Sequence, residues 1–306
     1  MTEKKDILNE PSGLLILHKP VGITSHDAVY KIRRLFGTKR VGHTGTLDPL
    51  AEGVLVMLVG RAAKAAEYLV CDTKEYAATL RLGITTDTED VTGNVLTQSD
   101  NIPCEAQLQA ALDGFRGEIE QIPPMYSALK VGGKKLCDLA REGKTVERQP
   151  RKITVFSLTA EPTENKTDYS LYVRCSSGTY IRTLCADIGN ALGCGGAMAT
   201  LTRVAAGEFR IEDALTLEEL GEMTESQRLE KLLPTERLFE ACPIVTLPEF
   251  YYRLCTNGCE IYQKKIRTSL PIGERVRLYS PEGEFFALGE VREYPDGLAL
   301  KAIKYF

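Results

Sequence analysis

Residues 40–59 read Arg40-Val-Gly-His-Thr-Gly-Thr-Leu-Asp-Pro-Leu50, followed by Ala51-Glu-Gly-Val-Leu-Val-Met-Leu-Val59. The second part ends in an unbroken β-branched and aliphatic run, Val54 to Val59, which has no polar face and predicts a central strand. The first part is a long loop rich in glycine and threonine. Gly42 and Gly45 allow another backbone to come close. Because the loop runs directly into a core strand, Asp48 stands on a rigid support. On local features alone two bland readings stay open: Asp48-Pro49 is a common Asx-type turn, and His43 is a hydrogen-bonded loop histidine.

Upstream, Leu14-Leu-Ile-Leu17 predicts a buried strand ending at the turn His18-Lys19-Pro20. Ser25 then stands at a helix N-cap position. Val29, Ile32, Leu35 and Phe36 follow at helical spacing, and Gly37 stops the pattern. Downstream, residues 62–69 have helical character and residues 76–82 return to strand. An acidic, Thr-rich connection spans 83–93. Helices are expected over 105–115 and 134–141, separated by the irregular elbow Gln121-Ile-Pro-Pro-Met-Tyr-Ser127. A second strand pair is expected over 153–158 and 170–175, then a helix over 180–192 closed by Gly193. Strands and helices interleave without strict βαβ order, which predicts an α+β fold: a mixed, mostly antiparallel central sheet flanked by helices. Pro234 and Pro243 bracket a boundary, beyond which short strand-like runs are punctuated by Gly258, Gly273, Gly283, Gly289 and Gly297. The expected organisation is a loose segment over 1–12, a main domain over 13–240 and a small β-rich module over 241–306.

The chain has 306 residues, 43% of them hydrophobic and 26% charged, a globular composition. No run approaches 18 apolar residues and the N-terminus lacks an apolar signal region, so the expectation is a cytoplasmic protein whose nine cysteines are reduced thiols. A net charge of −4 argues against a nucleic-acid partner until its distribution is read. Residues 31–40 carry Lys31, Arg33, Arg34, Lys39 and Arg40 with no acid. Residues 130–152 hold an excess of +5, and residues 212–240 hold −6. A local basic face is what a phosphate backbone needs.

Other chemistries fit poorly. Gly42-His-Thr-Gly-Thr46 lacks the spacing and following lysine of a phosphate-binding P-loop. His18, His26 and His43 do not pair at helical i, i+4 spacing, and Cys255 and Cys259 form a lone C-x3-C, so no zinc site is expected.

Taken together, several separated blocks resemble the TruB family of tRNA pseudouridine synthases. They are His18-Lys-Pro-Val-Gly-Ile-Thr-Ser25, Gly42-His-Thr-Gly-Thr-Leu-Asp-Pro-Leu-Ala51, Lys74-Glu-Tyr76, Leu82-Gly-Ile-Thr-Thr-Asp87, Gln121-Ile-Pro-Pro-Met-Tyr-Ser-Ala-Leu-Lys130, Cys175-Ser-Ser-Gly-Thr-Tyr-Ile-Arg182 and Leu201-Thr-Arg203. The resemblance covers residues 13–210, with His18 standing where an acid is expected. It implies isomerisation of uridine to pseudouridine at position 55 in the T-arm of tRNA, with no cofactor and no metal, by a monomer. It implies Asp48 as the catalytic carboxylate, with Arg182 as an ion-pair partner that holds its pKa down. Tyr76 would stack on the flipped base, and Tyr180 would lie near it and take part in the final proton removal. Leu201 would line the pocket, His43 would sit against displaced nucleotides, and Lys19 would belong to the substrate-binding set. Arg33, Arg34, Lys39, Arg40, Lys130, Lys134 and Lys135 would meet phosphates. The module over 241–306 resembles a PUA-like RNA-binding domain. The competing expectation is a non-catalytic tRNA-binding or RNA-folding protein on the same scaffold.

Overall fold

The strand expected from Val54 to Val59 is the buried spine of the main sheet. The computed structural model describes residues 10–68 and 73–306. Residues 1–9, most of the segment expected to be loose, lie outside the described residues, as do Leu69 and Cys71. The described end of that segment is anchored, because Glu10 accepts hydrogen bonds from Thr38 and Arg40.

Strand β1 (Gly13–Lys19) leads into helix α1 (Ser25–Leu35), the short β2 (Val41–His43) and then β3 (Ala51–Val59). Residues Val54, Leu55, Val56, Met57, Leu58 and Val59 are all fully buried, each contributing about 1.5–3 kcal/mol of apolar transfer. The N-cap of α1 is Thr24, in a capping box with Asp27, and not Ser25 as the sequence pattern suggested. Ser25 is buried, and its hydroxyl donates to the Leu47 carbonyl (2.9 Å) and accepts from the Leu47 amide (2.8 Å). The helix is thereby tied to the residue preceding Asp48.

The chain continues through β4 (Thr73–Leu82), a hairpin of β5 (Ile84–Thr86) and β6 (Val95–Gln98), helix α2 (Glu105–Leu112) and β7 (Gly117–Gln121). Residues 134–141 are not one helix. Lys130–Val131 (β8) and Lys134–Lys135 (β9) form a hairpin, and helix α3 starts at Leu136 (Leu136–Arg141). The reason is Gly132-Gly133, both at positive φ, the backbone that a two-residue hairpin turn requires. Next come β10 (Arg151–Pro162), β11 (Asp168–Ser176), helix α4 (Ile181–Ala191), β12 (Gly196–Ala206) and β13 (Phe209–Arg210).

Among the described residues the main sheet has nine strands in the order β1-β3-β12-β4-β11-β10-β7, with β2 on β3 and β13 on β12. All its pairings are antiparallel except β3 with β12, which makes the sheet mixed and mostly antiparallel, as expected. Strand β12 itself was not foreseen. Its sequence, Gly-Ala-Met-Ala-Thr-Leu-Thr-Arg-Val-Ala-Ala, is rich in small residues and lacks a two-fold polar/apolar alternation, because its start, at Gly196, lies against the helix before it and the buried Arg203 takes a core position.

Helix α4 packs on β12 through two glycines. A Cβ on Gly189 would stand 2.1 Å from the Gly196 nitrogen and 2.2 Å from the Gly195 carbonyl carbon. Alanine normally favours a helix interior over glycine by about 0.5–1 kcal/mol. Here Gly189→Ala is expected to destabilise by about 2–3 kcal/mol, because the obstacle is backbone that cannot rotate away. The check is thermal or urea unfolding, and an unchanged midpoint would contradict this seating of the helix.

Residues 244–306 form a second sheet of five strands, β14 (Ile244–Thr246), β15 (Ile261–Tyr262), β16 (Arg275–Tyr279), β17 (Phe285–Tyr294) and β18 (Gly297–Tyr305), in the order β14-β16-β17-β18-β15. It has its own apolar core, which includes Leu247, Val276, Leu278, Val291 and Leu300. A helix, Glu249–Thr256, also packs here and was not expected from the sequence. Contacts to the segments flanking the first sheet run through Phe239, Ala65 and Leu288, and through the Tyr68 hydroxyl donating to the Ile303 carbonyl. The eight described cysteines are all unpaired. Among the described residues no helix is long and apolar enough to cross a membrane.

Candidate active site

A cleft of about 850 Å³ is walled by Asp48, Tyr76, Asp90, Tyr180, Arg182 and Leu201 among others, Tyr76 and Leu201 coming from the adjacent central strands β4 and β12. The loop before β3 delivers Asp48. Its main-chain oxygen closes a turn onto the Ala51 amide (3.1 Å), while its carboxylate is turned to Arg182, with Oδ2 2.9 Å from Nε. The Asp48 side chain keeps 38% of its surface open on the cleft side, against 5% for Arg182.

Arg182 lies in the first turn of α4 and uses all three of its nitrogens. Besides binding Asp48, Nη1 donates to the Thr88 carbonyl (3.1 Å) and Nη2 to the Tyr126 carbonyl (2.8 Å). Nη1 also lies 3.8 Å from Asp90 Oδ2. Asp90 is buried, and its Oδ1 accepts from the Thr88 hydroxyl and from the amide and hydroxyl of Thr92. One guanidinium thus serves two carboxylates and joins the Asp48 loop, the 88–90 turn and the 121–127 elbow.

The charge balance sets the titration of Asp48. Burial raises its pKa and Arg182 pulls it down, but the neighbouring Asp90 pushes it up again, and the net direction is upward. Arg182 does pull the value down, as expected of an ion-pair partner, but burial, the largest influence, outweighs it and Asp90 adds to the rise. The ionised form is therefore disfavoured in the folded protein. As pH falls through the raised value, Asp48 takes up its proton, a change that favours the native state and removes the reactive form. The expected result is an acid limb in kcat above the usual carboxylate value near ~3.9, with no accompanying loss of stability from this group. Rate and thermal midpoint measured together across pH 4–8 check it.

The aromatic walls are fixed from behind. Gln121, buried at the end of β7, brackets Tyr180 by accepting from its amide (2.8 Å) and donating to its carbonyl (3.0 Å). Tyr76, on β4, faces Arg203 on β12 in register. Arg203 is 1% exposed, and its Nε donates to the Val54 carbonyl (2.7 Å) while Nη2 donates to the Gly45 carbonyl (3.0 Å). Burial raises the Tyr76 pKa, and a hydrogen bond with Arg203 partly offsets that rise. Arg203 therefore links the Asp48 loop to the Tyr76 wall.

Of the residues expected at the site, the structure brings Asp48, Tyr76, Tyr180, Arg182 and Leu201 to one cleft. Two others sit elsewhere. Lys19 is fully buried, with Nζ donating to the carbonyls of Pro20 and Ile23 (both 2.8 Å), so it braces the turn before α1 and does not reach the cleft wall. Burial pulls its pKa down to about 8 against the field of Asp48. His43 ends β2 outside the cleft lining, and its Nδ1 accepts from the Gly45 amide (3.3 Å). Burial and Arg203 lower its pKa.

The basic candidates divide as well. Arg40 pairs with Glu10. Arg33 lies over the Tyr30 ring and reaches the Val41 carbonyl. Arg34 and Lys39 stay on the surface, as do Lys130, Lys134 and Lys135 of the β8–β9 hairpin. Asp90, Gln121, Ser127 and Arg203 were missed as site residues. All four lie in or beside blocks singled out above, but no spacing rule ties them to Asp48.

An aspartate and a buried arginine thus meet at a cleft with tyrosine walls, carried on a mixed, mostly antiparallel sheet. A model described as TruB family pseudouridylate synthase (N terminal domain) matches residues 33–181, and one described as tRNA pseudouridylate synthase B C-terminal domain matches residues 182–240. The chain belongs to the TruB family. It is 40% identical over 286 residues to a protein of Methylobacillus flagellatus named tRNA pseudouridine synthase B, covering 94% of this chain and 93% of that one. A protein of the same name from Bacillus licheniformis is 43% identical over 284 residues, covering 90% and 92%. Among solved structures, the chain is similar to one in a Cbf5-Nop10-Gar1 complex, with TM-score 0.73 and 27% identity over 99% of this chain and 88% of that one. It is also similar to one in the archaeal box H/ACA sRNP Nop10-Cbf5 complex, with TM-score 0.72 and 25% identity over 97% and 87%.

Proposed function

We propose that the protein isomerises uridine 55 in the T-arm of tRNA to pseudouridine, with Asp48 as the catalytic carboxylate. The supporting observation is the Asp48–Arg182 pair, one side of it open to a cleft wide enough for a nucleoside. The reaction breaks the bond from N1 of the base to C1′, turns the base, and joins C5 to C1′. C5 loses a proton and N1 gains one, so atoms and charge balance without an external oxidant or reductant.

A uridine within a folded loop has to leave its stack before a carboxylate can reach it, at a cost of a few kcal/mol that stacking on an aromatic ring offsets. Tyr76 and Leu201 form that receiving wall in this reading. Tyr180 lies beside the base and accepts the C5 proton. Residues 13–240 act as the catalytic unit and residues 241–306 as a PUA-like RNA-binding unit, in a monomer. Arg34, Lys39, Lys130, Lys134 and Lys135 meet phosphates, which gives salt-dependent affinity. A non-catalytic RNA-folding protein has no need to keep a raised-pKa carboxylate against a buried arginine.

The experiment is tritium release from a tRNA transcript carrying 5-tritiated uridine, with the product position mapped by chemical modification. Release that disappears when uridine 55 is replaced by cytidine supports the reading. Release that persists, or none at all, overturns it.

A further inference from the structure

Ser127 closes the elbow between β7 and the β8–β9 hairpin, and it is held firmly. Its carbonyl accepts from the Cys137 amide (3.0 Å), and the preceding carbonyl, that of Tyr126, accepts from Arg182. The residue lines the cleft and is only 5% exposed. Its hydroxyl makes no hydrogen bond of good geometry among the described residues, although it lies close enough to the Tyr180 phenol, on the same cleft, to influence that group. A buried polar group left unpaired costs free energy that an alanine of the same shape would not. Such a group is a donor held in reserve.

The polar neighbour is the Tyr180 phenol. Burial raises the pKa of that phenol, and Ser127 is the largest influence in the other direction, followed by Arg151 from β10 and Arg182 from α4. Asp48, from the catalytic loop, opposes them. We infer that Ser127 is a positioning residue for Tyr180: when the nucleoside enters, its hydroxyl donates to the phenolic oxygen and holds that oxygen toward C5 of the base. This rests on the reading of Tyr180 given above. Ser127 does not touch the reacting atoms, and it acts by orienting the group that does. By holding the accepting oxygen in line with the C5–H bond, the serine speeds the chemical step without tightening substrate binding.

The test compares Ser127→Ala, Tyr180→Phe and the double variant for kcat, KM, pH profile and thermal midpoint on tRNA. Ser127→Ala is expected to lower kcat about tenfold, the size of one hydrogen bond to a charged oxygen, with KM unchanged. Its thermal midpoint should be unchanged or higher, because a buried unpaired hydroxyl has been removed. The rise in rate that follows Tyr180 deprotonation should move to higher pH, because the donor that favours the phenolate is gone. In the Tyr180→Phe background the same substitution should have no further effect on kcat, and Ser127→Thr should restore part of the rate. A lower midpoint with unchanged kcat and pH profile would overturn the inference and leave Ser127 a packing residue. A full serine effect in the Tyr180→Phe background would overturn it too. Should Tyr180→Phe alone retain full kcat, the reading of Tyr180 fails first, and the inference with it.

Discussion

Asp48→Asn is expected to abolish turnover, by 10⁴-fold or more on the scale seen when a residue acting at the reacting atoms is removed, while tRNA affinity stays within a few-fold of wild type. The substitution is nearly isosteric. An asparagine oxygen can still accept from Arg182 Nε, and the Asp48–Ala51 turn is made by main-chain atoms, so the loop keeps its shape. What disappears is the ionisable oxygen facing the cleft. The same substitution is expected to leave the thermal midpoint unchanged or to raise it, because the folded protein disfavours the Asp48 charge: its pKa is raised, chiefly by burial and with a contribution from Asp90. Loss of activity without loss of stability separates a catalytic role from a structural one. Single-turnover assays with excess enzyme, filter binding to unmodified tRNA and thermal unfolding supply the three readings. Retained turnover would remove Asp48 from the mechanism, and a large fall in midpoint would make the carboxylate a structural ion.

How much of this was legible beforehand depended on the range of the interaction concerned. The spine of the sheet was visible in the Val54–Val59 run because a strand buried on both faces leaves a local mark, an apolar stretch with no polar face. Gly37 and Gly193 marked helix ends for an equally local reason. Strand β12 left no such mark. Its side chains are small to admit α4 at Gly196, and smallness has no period. The site followed the same division. Asp48, Tyr76, Tyr180, Arg182 and Leu201 were assigned through resemblance over several motif blocks, and the structure gathers them at one cleft. Asp90 lay unnoticed in an acidic, Thr-rich connection, since acids there read as solvated turn residues until the fold turns one toward Arg182. The net direction of the Asp48 pKa was misjudged chiefly because burial of the carboxylate leaves no mark in the sequence, with Asp90 adding to the rise. Lys19 was assigned to the substrate-binding set through the resemblance alone, and packing turns its ammonium onto the carbonyls of Pro20 and Ile23. Sequence names the residue, and only packing decides which way it faces.

Arg182 carries the second large effect, and the prediction distinguishes its charge from its shape. In Arg182→Lys the charge survives but the planar fork does not, and one ammonium cannot reach Asp48, Asp90 and the carbonyls of Thr88 and Tyr126 together. Turnover is expected to fall by about 10²–10³, in line with the loss of fixed positioning at a reacting group. In Arg182→Met the charge is lost as well, leaving two carboxylates of the cluster without a cation between them. Breaking a buried pair from one side costs about 3–5 kcal/mol. The Asp48 pKa should then rise further, since the group that lowers it both by charge and by hydrogen bond is gone, and the acid limb of whatever rate survives should move to higher pH. Adding Asp90→Asn to Arg182→Met removes one of the two stranded charges, so it should recover much of the lost stability while leaving turnover as low as in Arg182→Met. Urea denaturation and pH–rate profiles of the three variants decide the matter. If the double variant is no more stable than Arg182→Met, the cost lies in the unpaired Thr88 and Tyr126 carbonyls, and the arginine serves the backbone of the cleft more than its carboxylates.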